Sequence, residues 1–174
     1  MMRTIFGILA LFFSASTIMA QVAEPPMTVQ RLGKIIRSLD DNAQSNGTSF
    51  QIDIQDVPVL ILTDTQNDRM RILVPIRAAE AMTPKEVLRV LQANFDTTLD
   101  ARYAIARGKL WATFIHPLSF LEKNEFISGL GQTVNIAKTY GTLYSSGVLS
   151  FGGGDSIPLQ RKLIEDLLKK GTDI

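Results

Sequence analysis

Residues Ser49–Ile76 read SFQIDIQDVPVLILTDTQNDRMRILVPI, and the spacing of their apolar side chains decides the fold class. Phe50, Ile52 and Ile54 alternate with Gln51, Asp53 and Gln55, the two-residue period of a strand with one buried face and one wet face. Val57–Leu62 departs from that period. Apart from Pro58 it is apolar at every position, so it reads either as a second strand after a tight turn at Gln55-Asp56 or as one long strand bent at Pro58. Asp64–Asp68 is a polar turn, and Met70–Ile76 returns as the third strand.

Upstream, Val29, Leu32, Ile35, Ile36 and Leu39 recur at helical spacing and predict a helix from Thr28 to Ala43, broken by Gln44–Thr48 with its Asn46-Gly47 pair. Downstream, Thr83-Pro84-Lys85-Glu86 holds the strongest local signal in the chain: a capping threonine, proline at the first helical position, and a glutamate placed to bond back to the cap. The helix it opens carries Val87, Leu88, Leu91 and Phe95 as its apolar stripe and ends at Asp96–Asp100. Arg102–Ala106 and Lys109–Ile115 flank Arg107-Gly108 and predict a hairpin. Ser119-x-x-Glu122 is a second capping box, opening a long helix with Phe126, Leu130, Val134, Ala137 and Tyr140 or Gly141 on one face. Gly129 and Gly131 each cost that helix about 1 kcal/mol relative to alanine, which close packing against a neighbour explains. Leu159, Leu163, Ile164, Leu167 and Leu168 form an amphipathic tail helix. The order is α-β-β-β-α-β-β-α plus the tail, an α+β fold with helices packed on an antiparallel sheet.

Three motifs carry a family resemblance. Leu88-x-x-Leu91-x-Ala93-Asn94 closes the middle helix, Gly108-Lys109-Leu110-Trp111 lies in the hairpin, and Pro117-Leu118-x-x-Leu121 leads into the long helix. Together they resemble the type III secretion chaperone-like fold, whose superfamily holds the secretion chaperones and the bacterial YbjN-type sensory-transduction-regulator domains. The likeness runs from about Thr28 to Ser146. It implies a small binding module, commonly a homodimer, that in the chaperones holds extended polypeptide against apolar surface; it implies no active site.

The first twenty residues address the chain. Arg3, the apolar run Ile5–Phe13 and the small residue Ala20 read as a cleavable export signal, with an apolar run too short to span a bilayer. Cleavage is expected after Ala20; Ile18, where a small residue is usual, leaves open a cut after Ser16 or an uncleaved anchor. The expected organisation is then a signal peptide (1–20), a flexible leader (21–27), the α+β domain (28–146), a glycine-rich linker (147–156) and the tail helix (157–171). All 17 acidic residues and 17 of the 18 basic ones follow Ala20, so the mature chain has no net formal charge and no basic surplus for nucleic acid. The chain has no cysteine, which excludes disulfides, thiolate chemistry and sulfur-ligated metal sites. The expected location is periplasmic or secreted.

Candidate chemistry is sparse. His116 is the only histidine, at the end of an apolar strand, with no nucleophile and orienting carboxylate near it in sequence. Zinc of the usual kind lacks ligands. Asp53 and Asp56 are candidates for a carboxylate pair, against which the alternation of their strand favours a solvated face. Asp64-Thr65-Gln66-Asn67-Asp68 offers oxygen ligands for calcium but lacks the central glycine and distant glutamate of a calcium-binding helix-loop-helix. Gly152-Gly153-Gly154-Asp155-Ser156 lacks the lysine of a phosphate loop and reads as a hinge, and Asn46-Gly47-Thr48, formally a glycosylation acceptor, reads as a turn. No cofactor and no metal are expected.

What points to binding is an excess of apolar surface. If helices cover one face of the sheet, the two-sided apolar character of Val57–Leu62 and Leu110–Ile115 leaves Val59, Ile61, Trp111 or their neighbours on the other face without cover. The tail helix, a second copy of the chain and a client peptide are the three candidate occupants. The expected function is a non-enzymatic, chaperone-like or regulatory module that binds a protein or peptide, or itself as a homodimer. The alternatives are an envelope domain that only self-associates and a small envelope hydrolase built on His116 or carboxylates.

Overall fold

The structure, a computed structural model, describes residues 24–147 and 158–172. Its order is α1 (Val29–Leu39), β1 (Gln44–Ser45), β2 (Ser49–Ile54), β3 (Val57–Asp64), β4 (Arg69–Ala78), α2 (Pro84–Asp96), β5 (Arg102–Ala106), β6 (Lys109–His116), α3 (Lys123–Lys138) and α4 (Pro158–Gly171). The six strands form one antiparallel sheet in the order β1-β2-β3-β4-β6-β5, an α+β architecture with helices on the sheet. The expected signal at 1–20 and all of the expected linker except Gly147 lie outside the described residues.

The hairpins form as their turns dictate. Gln55 and Asp56 both take positive φ (50° and 63°), as do Arg107 and Gly108 (50° and 71°), the two-residue turn whose twist matches that of paired strands. Val57–Leu62 is therefore a separate strand, and Pro58 lies in it opposite Asp53 rather than at a bend. At Thr83 the expected cap forms: its hydroxyl accepts the Glu86 amide while the Glu86 carboxylate accepts the Thr83 amide at 2.8 Å.

Several expectations are corrected. The first helix stops at Leu39, because Asp40 leaves helical geometry and its carboxylate accepts the amides of Asn42 and Asp53. The two residues of β1 then pair with Phe50 and Gln51, a strand too short for its period to show. The third helix opens at Glu122, not Ser119. Ser119 instead gives its amide and hydroxyl to the two carboxylate oxygens of Asp68, both at 2.7 Å, and the Glu122 amide donates to Glu125. Of the leader expected to be flexible, Glu24–Met27 is tied down: Glu24 pairs with Arg31 and accepts the Lys123 amide, and the Met27 amide donates to Ser119.

The core lies between the sheet and its helices. Leu32, Ile35 and Ile36 of α1, Phe50, Ile52, Ile61 and Ile72 of the sheet, and Phe126 and Leu130 of α3 are all buried. Gly129–Ile136 is buried without interruption, because α3 has the sheet on one side and α4 on the other. The expected reason for the α3 glycines holds. A Cβ on Gly129 would lie 2.8 Å from the Phe114 ring, and one on Gly131 would lie 2.6 Å from Ile164.

Candidate functional site: the open face of the sheet

The hairpin register decides which side chains share a face. With Ile54 opposite Val57, Ile52 opposite Val59 and Phe50 opposite Ile61, the buried set of β2 carries Val59 and Ile61 with it. Both are buried under the helices, at 1% and 0% exposure, and so do not lie on the face expected for them. The error is one of phase. A strand apolar on both sides does not show which set turns inward, but its two-residue turn and the alternating strand before it do. Leu60 and Leu62 are the residues that turn to the open side.

Trp111 does lie on the open face, half-buried, with Ala104 beside it on β5 and Pro75 on β4. Neighbouring rows read Leu60–Leu73–Thr113–Arg102 and Leu62–Arg71–Ile115 across the sheet. Between them runs a shallow concavity of about 260 Å³ lined entirely by strand residues and the β5–β6 turn. Its floor is Leu60, Leu73, Trp111 and Thr113, and its charged residues are Arg71 and Arg107. The Trp111 indole donates to the Ala106 carbonyl at 2.9 Å, with the Lys109 ammonium 5.9 Å from the ring centre. Tail helix α4 does not reach this face: it packs on α3 and α1.

A second apolar surface lies on α2 and corrects the expected stripe. Val90 and Ala93 are the buried residues of this helix, whereas Leu88, Leu91 and Phe95 are 57%, 59% and 86% exposed. Their i, i+3, i+7 spacing sets them on one face, turned away from the core. The inner side of α2 is fixed by polar contacts. The Asn94 side chain accepts the Tyr103 amide at 2.7 Å and donates to its carbonyl at 3.0 Å, closing part of the β5 edge. Arg77 bridges Glu86 and the Tyr140 hydroxyl.

His116 lies on the helix side, beside Asp100, Glu125, Ser128 and Gln132 in a polar hollow closed by Ile164 and Leu168 of α4. Its Nδ1 donates to the Pro117 carbonyl at 2.8 Å, its ring stacks on Phe114, and Nε2 stands 4.0 Å from the Glu125 carboxylate. Among the described residues no hydroxyl is hydrogen-bonded to the imidazole, so the hollow shows no nucleophile and base in register.

The loop candidates use their oxygens internally. Asp64 accepts the amides of Gln66 and Asn67 and the Asn67 side-chain amide, and these bonds hold its carboxyl below the usual range. Asp68 is lowered in the same way by the Ser119 hydroxyl and amide. Asp53 faces solvent on β2 and Asp56 stands in the turn. Asn46 accepts the amides of Thr48 and Ser49, a turn. The glycine run 152–156 lies outside the described residues. Among the described residues there is no group of three or more His, Asp or Glu that could hold a metal ion, and no helix is long and apolar enough to cross a membrane.

No protein-family model matches the chain, and neither does any curated protein. Among solved structures, it is similar to a chain of the crystal structure of the ExsC–ExsE complex, with a TM-score of 0.50 and 11% identity over 64% of this chain and 92% of that one. At that identity the likeness is one of fold. It agrees with the α+β arrangement of helices on an antiparallel sheet expected from the sequence.

Proposed function

We propose that this chain is an exported, non-enzymatic module that takes a protein or peptide partner on the open face of its sheet and works as a homodimer joined through the outer stripe of α2. The observation that carries the reading is the open face itself. Leu60, Leu62, Leu73, Trp111 and Ile115 form one apolar surface that no helix of the described chain covers. Full burial of such side chains is worth about 1.5–3 kcal/mol each, so an occupant that completes their burial gains much of that. The fold likeness to a chain from a protein–protein complex agrees with this reading, and the expected export signal and zero net formal charge of the mature chain are the ground for setting it apart from the secretion chaperones proper.

Trp111 is the only tryptophan and lies on the proposed surface, so it reports directly. A photo-crosslinking residue replacing Leu73 in the producing cell is expected to trap a defined protein that the same residue at exposed Asp41 does not. The purified pair is then expected to shield Trp111 from acrylamide quenching. Equal trapping at both positions, with Trp111 still quenched, would sink the proposal.

The α2 stripe is tested separately. Leu91→Glu with Phe95→Glu is expected to convert a dimer to a monomer in sedimentation velocity without altering the circular dichroism, since both side chains are exposed in the single chain. A parent protein that is already monomeric at high micromolar concentration removes the dimer from the proposal. Export rests on Arg3, Ile5–Phe13 and Ala20. N-terminal sequencing of the envelope-fraction protein is expected to begin at Gln21, and an intact Met1 in the cytosol would contradict it.

A further inference from the structure

We propose that the segment taken by the open face is acidic as well as apolar: an amphipathic polypeptide stretch whose carboxylates meet Arg71 and Arg107 while its apolar side chains fill the concavity between them. The inference rests on the reading of this face as a protein-binding surface and names the chemistry of the partner. Two cations and no carboxylate line the concavity. Both arginines are exposed, and among the described residues neither guanidinium makes a hydrogen bond or an ion pair. Neighbouring Arg102 is different, since its guanidinium is turned back onto Thr98, Leu99 and Ala101. Asp64 exerts its field on Arg71, but its oxygens are occupied by Gln66 and Asn67.

The two arginines stand at opposite ends of the apolar floor. Arg71 is opposite Ile115 near one end of β6, and Arg107 is in the turn next to Lys109 at the other. Six residues of strand separate those ends, about 20 Å. That is the span of roughly thirteen helical residues, one amphipathic segment with an acid near each end.

Shape separates this occupant from a membrane or a nucleic acid. Leu60, Leu62 and Leu73 are half-buried in a hollow, which suits a convex segment better than a flat bilayer surface. A single aromatic ring offers no stacking platform for successive bases.

The test follows Trp111 emission in titrations with three probes: a fourteen-residue amphipathic peptide with a leucine stripe and glutamate flanks, the same stripe with lysine flanks, and phosphatidylglycerol vesicles. The acidic peptide is expected to bind about ten-fold tighter than the basic one. Arg71→Glu with Arg107→Glu, at exposed positions, is expected to abolish or invert that preference while leaving the circular dichroism unchanged. Equal binding of both peptides overturns the acidic assignment and leaves the protein-binding surface standing. Binding of neither peptide, with vesicles alone shifting the emission, overturns both in favour of an anionic membrane surface, and no response to any probe overturns both outright.

Discussion

Replacing Leu163 and Leu167 together with alanine is expected to cost about 5 kcal/mol, since each buried leucine truncated to alanine costs about 2–5 kcal/mol and the two share one interface. That is on the order of the whole stability of a domain this size. Both side chains are 4% exposed on α4, the helix that packs on α3 and α1. The fit is close along its length: Ile164 lies where a Cβ on Gly131 would go, and Lys123 donates to the Gly171 carbonyl at 2.8 Å. The urea midpoint of the variant is expected to collapse, with binding of a hydrophobic dye rising before the sheet unfolds. Trp111 emission in the folded variant is expected to match that of the parent, because α4 packs on α1 and α3 and not on the open face. A parent-like midpoint would show that α4 is not docked, and a Trp111 shift in the folded variant would place it on the open face.

The elements are legible where local chemistry is decisive. Alternation in Phe50–Ile54, the capping box at Thr83–Glu86 and the turn residues Arg107-Gly108 each specify a conformation over a few residues, and each forms as expected. Direction is harder to read. The apolar spacing of Leu88, Leu91 and Phe95 marks a stripe, but spacing cannot distinguish a stripe turned to the core from one left for a partner, and here Val90 and Ala93 take the inner side. Val59 and Ile61 defeat the pattern for a related reason: their strand is apolar on both sides, so only its register with β2 assigns them inward. Serine favours the capping position, which is why the pattern points to Ser119, yet Asp68, fifty-one residues earlier, outcompetes the helix amides for it. No local signal reports so distant an acceptor. The open face itself is legible as an excess of apolar residues, and Trp111 lies on it. Which leucines accompany it, and that Arg71 and Arg107 border them, emerges only from the paired sheet.

Gln132→Leu is expected to destabilise the fold by about 3 kcal/mol, more than a surface substitution and for a reason that volume does not capture. Gln132 is 1% exposed on α3, and its carbonyl oxygen accepts the amides of Asp100 at 2.9 Å and Ala101 at 3.2 Å. Its side-chain amide donates to the Asp100 carboxylate and the Ser128 hydroxyl. Leucine fills similar space but leaves the two backbone donors without an acceptor, and the Ala101 position is fully buried. Those donors belong to the residues that launch β5, the outer strand whose Ala104 and Ala106 form one wall of the concavity. The variant is therefore expected to lose hydrogen-exchange protection in β5 before the other strands. Gln132→Glu separates the acceptor from the charge. It keeps an oxygen for both amides but sets a second carboxylate against Asp100, which raises the new carboxyl's pKa in the folded state above the ordinary value of about 4.3. The resulting loss of stability is full above the raised folded-state pKa, narrows as pH falls through it, and is gone below the unfolded value. Urea titrations across the acid range are expected to show the gap between Gln132→Glu and the parent closing as pH falls, while the gap for Gln132→Leu stays constant. A Gln132→Leu variant within about 0.5 kcal/mol of the parent would mean that the bonds to Asp100 and Ala101 do not hold β5 in place.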